Sequence, residues 1–267
     1  MAVGKIENAK RIVIKVGTST LTHESGKLNL RKMDKIAMVL SDLKSLGKEI
    51  ILVTSGAISA GVSKLGLSER PKSIMEKQAC ASVGQCAIMY IYDKLFTEYN
   101  NTVSQMLLTK DITEDEKLKK NIINTFETLL SYNVIPIVNE NDSVAVDEIV
   151  YGDNDTLSAV TAKLVNADLL IILTDIDGLY DDNPQTNKNA KLIPVVKEIT
   201  PEIEKLGGKP LSKVGTGGMA TKISAAKIAV NSGIDMIILN GKNPELIYDV
   251  LEGKQIGTIF LGKEKLW

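Results

Sequence analysis

The chain has 267 residues, of which 44% are hydrophobic and 24% charged, and its formal net charge is -1. This composition is typical of a packed globular protein and excludes a disordered chain. Because its lysines and arginines form no basic stripe, it also excludes an electrostatic footprint for nucleic acid. No apolar run approaches the roughly 20 residues that a membrane-spanning helix needs.

The two cysteines, Cys80 and Cys86, fall within one helical pattern, where a separation of six residues places them on different faces. We therefore expect no disulfide between them, which suits a reducing compartment. With a single histidine, His23, the chain offers no zinc ligand set. The first ten residues are polar and lack the apolar core of a signal peptide, so we expect a cytoplasmic protein.

Taken in chain order, seven short apolar segments have the length of β-strands, and most of them lack polar alternation. Continuous apolar strands are typical of a sheet that is covered by helices on both faces. The predicted strands are residues 11–16, 49–54, 102–108, 134–138, 169–174, 235–239 and 258–261.

Amphipathic helical patterns separate these strands. Four apolar stripes recur every three or four residues, and Gly47 follows the first of them as a C-terminal stop. The strand–helix–strand repetition predicts right-handed βαβ units and a mainly parallel sheet. Residues 181–189 carry turn-forming Asn and Pro and are expected to form a surface loop. The stripes are Met33, Ile36, Ala37, Leu40, Leu43; Leu118, Ile122, Phe126, Leu129; Leu157, Val160, Thr161, Leu164; and Met219, Ile223, Ala226, Val230.

Small or polar residues follow four of the predicted strands. In open parallel sheets, ligands bind beyond the carboxyl ends of the strands. One polar strand end is routine, but four together predict a shared ligand crevice. The segments are residues 17–20, 55–61, 139–143 and 174–178.

Lys15 stands at the end of the first predicted strand, beside Gly17. Glycine lets a ligand approach the backbone, and the free N–H groups at a helix start attract anions. Taken singly, Gly17 and Gly56 are explained by tight strand-to-helix turns. The lysine beside Gly17 makes phosphate binding the better interpretation.

Residues 215–222 have the sequence GTGGMATK and form the most informative glycine-rich segment. They partly match a dinucleotide fingerprint, but a short polar stretch rather than a buried strand precedes them. They also fail the spacing of a P-loop. We interpret the segment as a loop that enters a helix, with Lys222 in its early turns, where N–H groups and a cation converge on phosphate oxygens.

Residues 151–156, with the sequence YGDNDT, form a second dense polar segment. Asn154 or Asp155 stands where a helix N-cap is expected. Three polar groups beside residues 139–143 also fit a substrate pocket. An acidic group there can hold an ammonium group, orient lysines or bind Mg²⁺, and these three roles stay open.

The residue types predict phosphoryl transfer to a carboxylate. Such an acceptor is ionised at neutral pH and needs no general base, so His23 is not required. Transfer then depends on in-line placement and on charge stabilisation by lysines, backbone N–H groups and Mg²⁺.

Six segments resemble the motifs of the amino acid kinase family, in order and over nearly the whole chain. No single segment is specific, but the combination is, and it is most similar to members that phosphorylate glutamate. The resemblance implies a three-layer α/β/α sandwich around a mainly parallel sheet. It implies Mg-ATP as the donor and γ-glutamyl phosphate as the product, in the first step of proline biosynthesis. The segments are residues 15–19, 53–57, 139–142, 152–155, 174–180 and 215–219.

The resemblance also implies roles for individual residues. Lys15 and Lys222 would neutralise the transferring phosphoryl group, and Asp155 would orient both lysines. Mg²⁺ would arrive with ATP rather than on protein ligands. Glutamate would be held by Ser55, Gly56, Asp142 and Asn154. ATP would be held by Lys15, Gly17, Thr174, Asp175, Thr216, Gly217, Gly218, Met219, Ala220, Thr221 and Lys222.

We expect a single domain over residues 1–267, with an N-terminal substrate-binding part and a C-terminal nucleotide-binding part. Many bacterial family members carry a C-terminal PUA domain, for which no room follows Trp267. The resemblance further implies a homo-oligomer, feedback inhibition by proline, and hand-over of the product to glutamate-5-semialdehyde dehydrogenase.

Two alternatives remain open. Another family member, acting on N-acetylglutamate, aspartate, carbamate or UMP, would share the glycine loops and lysines. Residues 139–142 and 152–155 favour glutamate, and the three arginines are few for a nucleotide acceptor. A non-catalytic amino-acid sensor would not need both Lys15 and Lys222 at glycine loops.

Overall fold

A computed structural model describes residues 2–23, 25–109, 115–144, 154–208 and 218–263. Eight strands in these ranges form one sheet in the spatial order 3-4-2-1-5-7-8-6. Neighbouring strands are parallel, except that the seventh and eighth are antiparallel. The strands are β1 (Arg11–Val16), β2 (Glu49–Val53), β3 (Val103–Leu108), β4 (Ile135–Glu140), β5 (Leu169–Thr174), β6 (Val195–Val196), β7 (Asp235–Asn240) and β8 (Thr258–Phe260).

Helices connect the strands and cover the sheet. Side-chain caps begin several of them; a capping box between Ser73 and Glu76, for example, satisfies backbone N–H groups at the start of the longest helix. The helices in the described ranges are α1 (Ala2–Glu7), α2 (Thr18–Leu21), α3 (Leu30–Ser45), α4 (Ala57–Leu65), α5 (Ile74–Glu98), α6 (Glu116–Ser131), α7 (Asn154–Leu164), α8 (Pro201–Lys205), α9 (Met219–Asn231) and α10 (Leu246–Leu251).

Two hydrophobic cores lie on opposite faces of the sheet, because successive strand side chains point to opposite faces. Ile12 and Ile14 of β1 belong to one core, with residues of α3 and α5. Val13 belongs to the other core, with residues of α6, α7 and α9. The central strands are therefore buried on both sides. This confirms the predicted three-layer α/β/α architecture with a mainly parallel sheet.

The seven predicted strands agree with the structure to within two residues at their ends. All five residues of the first stripe, from Met33 to Leu43, are buried, and Gly47 follows α3 with a positive φ of 83°. Residues 181–189 form a loop, as predicted. The two-residue strand β6 was not predicted, because so short a segment has no periodicity to detect.

Cys80 and Cys86 both lie on α5, as predicted, and neither is in a disulfide. Cys80 is buried and Cys86 is exposed. Among the described residues, no helix combines the length and the apolar character needed to cross a membrane.

Helices α4 and α5 pack with their backbones in close contact. A Cβ atom on Gly61 of α4 would lie 1.8 Å from the Cys80 carbonyl oxygen, and one on Gly84 of α5 would lie 1.8 Å from that of Ala57. Only glycine fits at either position. Helix α4 begins after Gly56, whose φ of 94° permits the sharp turn out of β2. This contact fixes the loop that carries Ser55.

Candidate active site

Two buried lysines share one buried aspartate at the carboxyl ends of the strands. The Lys15 Nζ lies 2.6 Å from Asp155 Oδ1, and the Lys222 Nζ lies 3.1 Å from Asp155 Oδ2. Lys15 comes from β1, Asp155 from the first turn of α7, and Lys222 from the first turns of α9. The three residues are 7%, 0% and 5% exposed. This lysine–aspartate triad carries one net positive charge in a buried position, which favours an anionic ligand.

The ionisation of Asp155 depends on the two lysines. Burial by itself would raise the pKa of this carboxyl, because the charged form loses its hydration. The electrostatic attraction of Lys15 and Lys222, with hydrogen bonds from Lys15 and Thr221, outweighs burial and holds the pKa of Asp155 well below its ordinary value. The carboxylate therefore stays charged and keeps both ammonium groups in place.

Thr221 also contacts the triad. Its hydroxyl lies 2.9 Å from Asp155 Oδ2 and 2.7 Å from the Gly218 carbonyl oxygen. The sequence predicted Thr221 as an ATP contact, whereas the structure places its hydroxyl on the aspartate. Its position next to Lys222 was the available signal, but the partner lies 66 residues away in the chain.

Gly17 borders the triad. A Cβ atom at this position would lie 3.3 Å from the Lys15 Nζ and 3.8 Å from the Leu173 carbonyl oxygen. A side chain would therefore occupy the space beside the lysine ammonium group. Glycine leaves that space for a ligand atom and lets backbone approach it.

The other predicted nucleotide contacts lie on the neighbouring elements. Thr174 ends β5, which pairs with β1, and its hydroxyl donates to Asp175 Oδ1 at 3.1 Å. Gly218 is the N-cap of α9, and Met219 and Ala220 are its first two residues. Thr216 and Gly217 lie outside the described residues.

A second polar cluster surrounds the side chain of Asn154. Its Nδ2 lies 2.8 Å from the Thr54 carbonyl oxygen, 2.8 Å from Ser55 Oγ and 3.0 Å from Asn139 Oδ1. The structure therefore brings together Ser55 and Asn154, two of the residues predicted to hold glutamate. Gly56 follows directly as the N-cap of α4.

Asp142, the fourth predicted glutamate contact, lies three residues beyond Asn139 on the loop that follows β4. Its carboxyl is partly buried, and burial raises its pKa to about 6. A carboxyl that is costly to ionise alone is a suitable partner for a cationic group of a ligand.

Sequence reasoning missed one member of this cluster, Gln85 on α5. Its Oε1 accepts a hydrogen bond from Asn139 Nδ2 at 2.9 Å, and its Nε2 donates to Gln105 Oε1 at 3.3 Å. Gln85 is only 7% exposed. Its signal in the sequence was a polar residue within the uncharged stretch 78–92, which does not reveal the partner.

The two clusters adjoin because Asn154 and Asp155 are consecutive. Helix α7 begins at Asn154, so both residues lie in its first turn. Both residues belong to the helix itself, so the expectation that one of them is its N-cap was wrong. Residues 151–153 lie outside the described part of the chain. The start of helix α7 thus joins the lysine–aspartate triad to the second polar cluster, around Asn154.

The α/β sheet gathers two lysines and a glycine turn at its carboxyl edge, beside a polar acceptor pocket. These are the features of a phosphate-transferring enzyme of the kinase class. The model of the amino acid kinase family matches residues 10–240. The chain belongs to the amino acid kinase family, as the sequence motifs predicted.

Curated relatives resemble the chain over nearly its whole length. It is 56% identical over 263 residues to the glutamate 5-kinase of Clostridium perfringens, covering 97% of this chain and 98% of that protein. It is 55% identical over 264 residues to the glutamate 5-kinase of Listeria monocytogenes, covering 97% and 96%. These similarities confirm the predicted resemblance to glutamate-phosphorylating members.

Solved structures share the fold at low sequence identity. A UMP kinase from Bacillus anthracis has a TM-score of 0.65 at 16% identity, over 95% of this chain and 96% of that one. A carbamate kinase from Giardia lamblia, bound to AMP-PNP, has a TM-score of 0.66 at 19% identity, over 96% and 100%. At these identities the likeness is one of fold.

Proposed function

We propose that the chain phosphorylates the γ-carboxylate of L-glutamate with ATP, giving γ-glutamyl phosphate and ADP, in the first step of proline biosynthesis. Relatives that are 54–56% identical and carry the name glutamate 5-kinase support this assignment. The observation that carries it is the meeting of Lys15 and Lys222 on Asp155.

The triad suits the charge changes of phosphoryl transfer. An oxygen of the γ-carboxylate forms a bond to the γ-phosphorus while the bond between that phosphorus and the β,γ-bridging oxygen breaks, and ADP leaves. The acceptor is already ionised, so no proton has to be removed. Lys15 and Lys222 neutralise the phosphoryl oxygens, and Asp155 keeps both ammonium groups in place throughout.

The residues fit a nucleotide phosphate beside the triad. Gly17 leaves space at the Lys15 ammonium group that a Cβ atom would fill. The described residues contain no group of three or more His, Cys, Asp or Glu side chains arranged to hold a metal ion. We therefore assign Mg²⁺ to the nucleotide phosphates, where it would add charge neutralisation. Thr174, Asp175 and residues 216–222 complete the proposed nucleotide site.

The second polar cluster, around Asn154, is the proposed glutamate site. Asn154 is next to Asp155 in the chain and contacts Ser55, which Gly56 follows, so an acceptor held there would lie close to the donor phosphate. Asp142 is assigned to the α-ammonium group, because a buried carboxylate gains a partner there. In this proposal the N-terminal part of the single domain holds the amino acid and the C-terminal part holds the nucleotide.

We also propose that the protein self-associates through helix α5. A helix stretch that is apolar on all sides is normally buried, yet the uncharged stretch of α5 over residues 78–92 exposes Cys86 and Tyr90. Cys86 is the middle residue of α5, so a two-fold pairing of these helices would bring two Cys86 thiols close together. Analytical ultracentrifugation of wild type and Tyr90→Lys tests this, and a monomeric wild type would contradict it.

Inhibition by proline and hand-over of the product to glutamate-5-semialdehyde dehydrogenase stay predictions.

The assignment is tested by ADP release with glutamate, N-acetylglutamate, aspartate, carbamate and UMP as acceptors. Hydroxylamine in a parallel assay traps an acyl phosphate as a hydroxamate. Turnover of glutamate with hydroxamate formation supports the proposal. Turnover of another acceptor alone would overturn the choice of glutamate, and amino-acid binding without any turnover would indicate a sensor.

A further inference from the structure

A row of side-chain amides runs from strand β3 through helix α5 to the proposed glutamate site. Gln105 Oε1 accepts from Gln85 Nε2, Gln85 Oε1 accepts from Asn139 Nδ2, and Asn139 Oδ1 accepts from Asn154 Nδ2. Asn139 is 1% exposed and Gln85 is 7% exposed, so water does not compete freely for the bond between them. We call these four residues the amide relay.

A backbone group sets the orientation of Asn139. Its Oδ1 accepts from the Glu140 backbone N–H at 2.9 Å, and a backbone N–H can only donate. The Oδ1 must therefore face Glu140 and Asn154, and the Nδ2 must face Gln85. Gln85 consequently has to present its acceptor atom, Oε1, to Asn139.

A second backbone group sets the orientation of Asn154. Its Nδ2 lies 2.8 Å from the Thr54 carbonyl oxygen, which can only accept. The Nδ2 also faces Asn139 Oδ1 and Ser55 Oγ, so it is surrounded by acceptors. The Oδ1 must point the other way. It is buried, and it has no hydrogen-bond partner within the described part of the chain.

We propose that Gln85 is a positioning residue for the acceptor substrate. By accepting a hydrogen bond from Asn139 Nδ2, it holds the Asn139 side chain against Asn154, so that the Asn154 Oδ1 is presented to the bound amino acid as a hydrogen-bond acceptor. An unpartnered buried acceptor is costly and gains most from a strong donor. The α-ammonium group of an amino acid is such a donor. This inference rests on the proposed function, because it assumes an amino-acid acceptor at Asn154.

The test compares two replacements of Gln85 that differ in one property. Gln85→Leu removes the acceptor that faces Asn139, whereas Gln85→Glu keeps an acceptor oxygen there. We expect Gln85→Leu to raise the KM for glutamate about ten-fold, the usual cost of one lost buried hydrogen bond, with less than a two-fold change in the KM for ATP. Gln85→Glu should restore the KM for glutamate to within about three-fold of wild type.

Controls separate positioning from folding. Ser82→Ala, at an exposed position of the same helix, should leave both KM values unchanged. Melting temperatures of all variants are measured alongside, because a purely structural role would lower stability without separating the two KM values. Asn139→Asp combined with Gln85→Glu places two acceptors face to face, so the pair should be far worse than the sum of the single changes.

Three results would overturn the inference: a wild-type KM for glutamate in Gln85→Leu, equal rises in both KM values, or a Gln85→Glu variant as impaired as Gln85→Leu. Failure of the proposed function looks different, because wild type itself would then not turn over glutamate. In that case the same variants are measured with the acceptor that wild type does use. The inference then still requires Gln85→Leu to raise the KM for that acceptor more than the KM for ATP.

Discussion

Lys222 and Asp155 lie 67 residues apart in the chain, and the Lys222 Nζ lies 3.1 Å from Asp155 Oδ2 in a site from which water is almost excluded. The opposite oxygen of the same carboxylate holds Lys15. One aspartate therefore organises two cations, one from strand β1 and one from helix α9. Asp155 is then needed both to keep the cations ordered and to keep their repulsion from opening the site.

Replacing Lys222 tests its catalytic role. We expect Lys222→Ala to lower kcat by about 10²–10³, because one charge that stabilises the transferring phosphoryl group is lost. The fold should persist, since Asp155 keeps its pairing with Lys15. The measurement is kcat by coupled ADP release, with circular dichroism as the test of folding.

Lys227→Ala is the matched control for Lys222→Ala. Lys227 lies on the same helix, but its side chain is 42% exposed and pairs with Glu204. Its removal should leave kcat unchanged. An unchanged kcat in Lys222→Ala would remove Lys222 from the mechanism.

Replacing Asp155 by Asn tests the buried charge balance. Two buried ammonium groups would then lack their counter-charge, so we expect a loss of about 3–5 kcal/mol in the free energy of unfolding at pH 7. Activity should fall as well, because the lysines lose their fixed positions. Urea denaturation and the ADP-release assay measure the two effects.

The pH dependence of this stability difference follows from the depressed pKa of Asp155. A carboxyl with a lowered folded-state pKa stabilises the protein above the unfolded value of about 4, and this contribution is lost as the pH falls toward the folded value. The difference between wild type and Asp155→Asn should therefore narrow below about pH 4. A difference that stays constant from pH 7 to pH 3 would contradict the charged triad.

Asp142 should make glutamate binding depend on pH. Burial raises its pKa to about 6, so its carboxyl is largely protonated below that pH and largely ionised above it. If the ionised form holds the α-ammonium group, kcat/KM for glutamate rises as the pH increases through about 6. Because the pKa of Asp142 is higher in the folded state than in the unfolded chain, its ionisation lowers the free energy of unfolding as the pH rises through about 6.

Variants of Asp142 test this assignment. Asp142→Ala should raise the KM for glutamate more than the KM for ATP and remove the rise in kcat/KM near pH 6. Asp93→Asn, an exposed change on α5, serves as the control for an altered net charge and should preserve the profile. Equal rises in both KM values would argue against a role of Asp142 in holding the substrate.

The contact between α4 and α5 should be intolerant of a methyl group. A Cβ atom at Gly84 would lie 1.8 Å from the Ala57 carbonyl oxygen, so Gly84→Ala has to separate the two helices. We expect a loss of about 1–3 kcal/mol or more and a higher KM for glutamate, because Ala57 begins the helix that follows Ser55 and Gly56. Urea denaturation measures the first effect and steady-state kinetics the second.

Ser82→Ala is the control for the Gly84 change, since it also introduces alanine and raises helix propensity, but at an exposed position of α5. It should leave stability and kinetics close to wild type. A Gly84→Ala protein as stable as wild type would show that the helices can move apart without cost.

Much of the fold followed from the sequence because burial periodicity is a local property. The strands β1 and β5 have the predicted bounds, and the first helical stripe is buried as predicted. Nearby glycines in the sequence likewise indicated Lys15 and Lys222 as phosphate-binding candidates, although the sequence does not give the distance between the two lysines. Local patterns indicate which side a residue faces and what it can bind, and for these elements that was sufficient.

The sequence by itself determined the layered α/β architecture, the family and the residue types at the strand ends. Only the tertiary structure decided that Asp155 lies between two lysines, that Thr221 contacts it, and that Gln85 of α5 accepts a hydrogen bond from Asn139 of β4. Each of these contacts joins residues distant in the chain. Their geometry depends on how helices pack across the sheet, and helix packing leaves no periodic signal in the residues that it brings together.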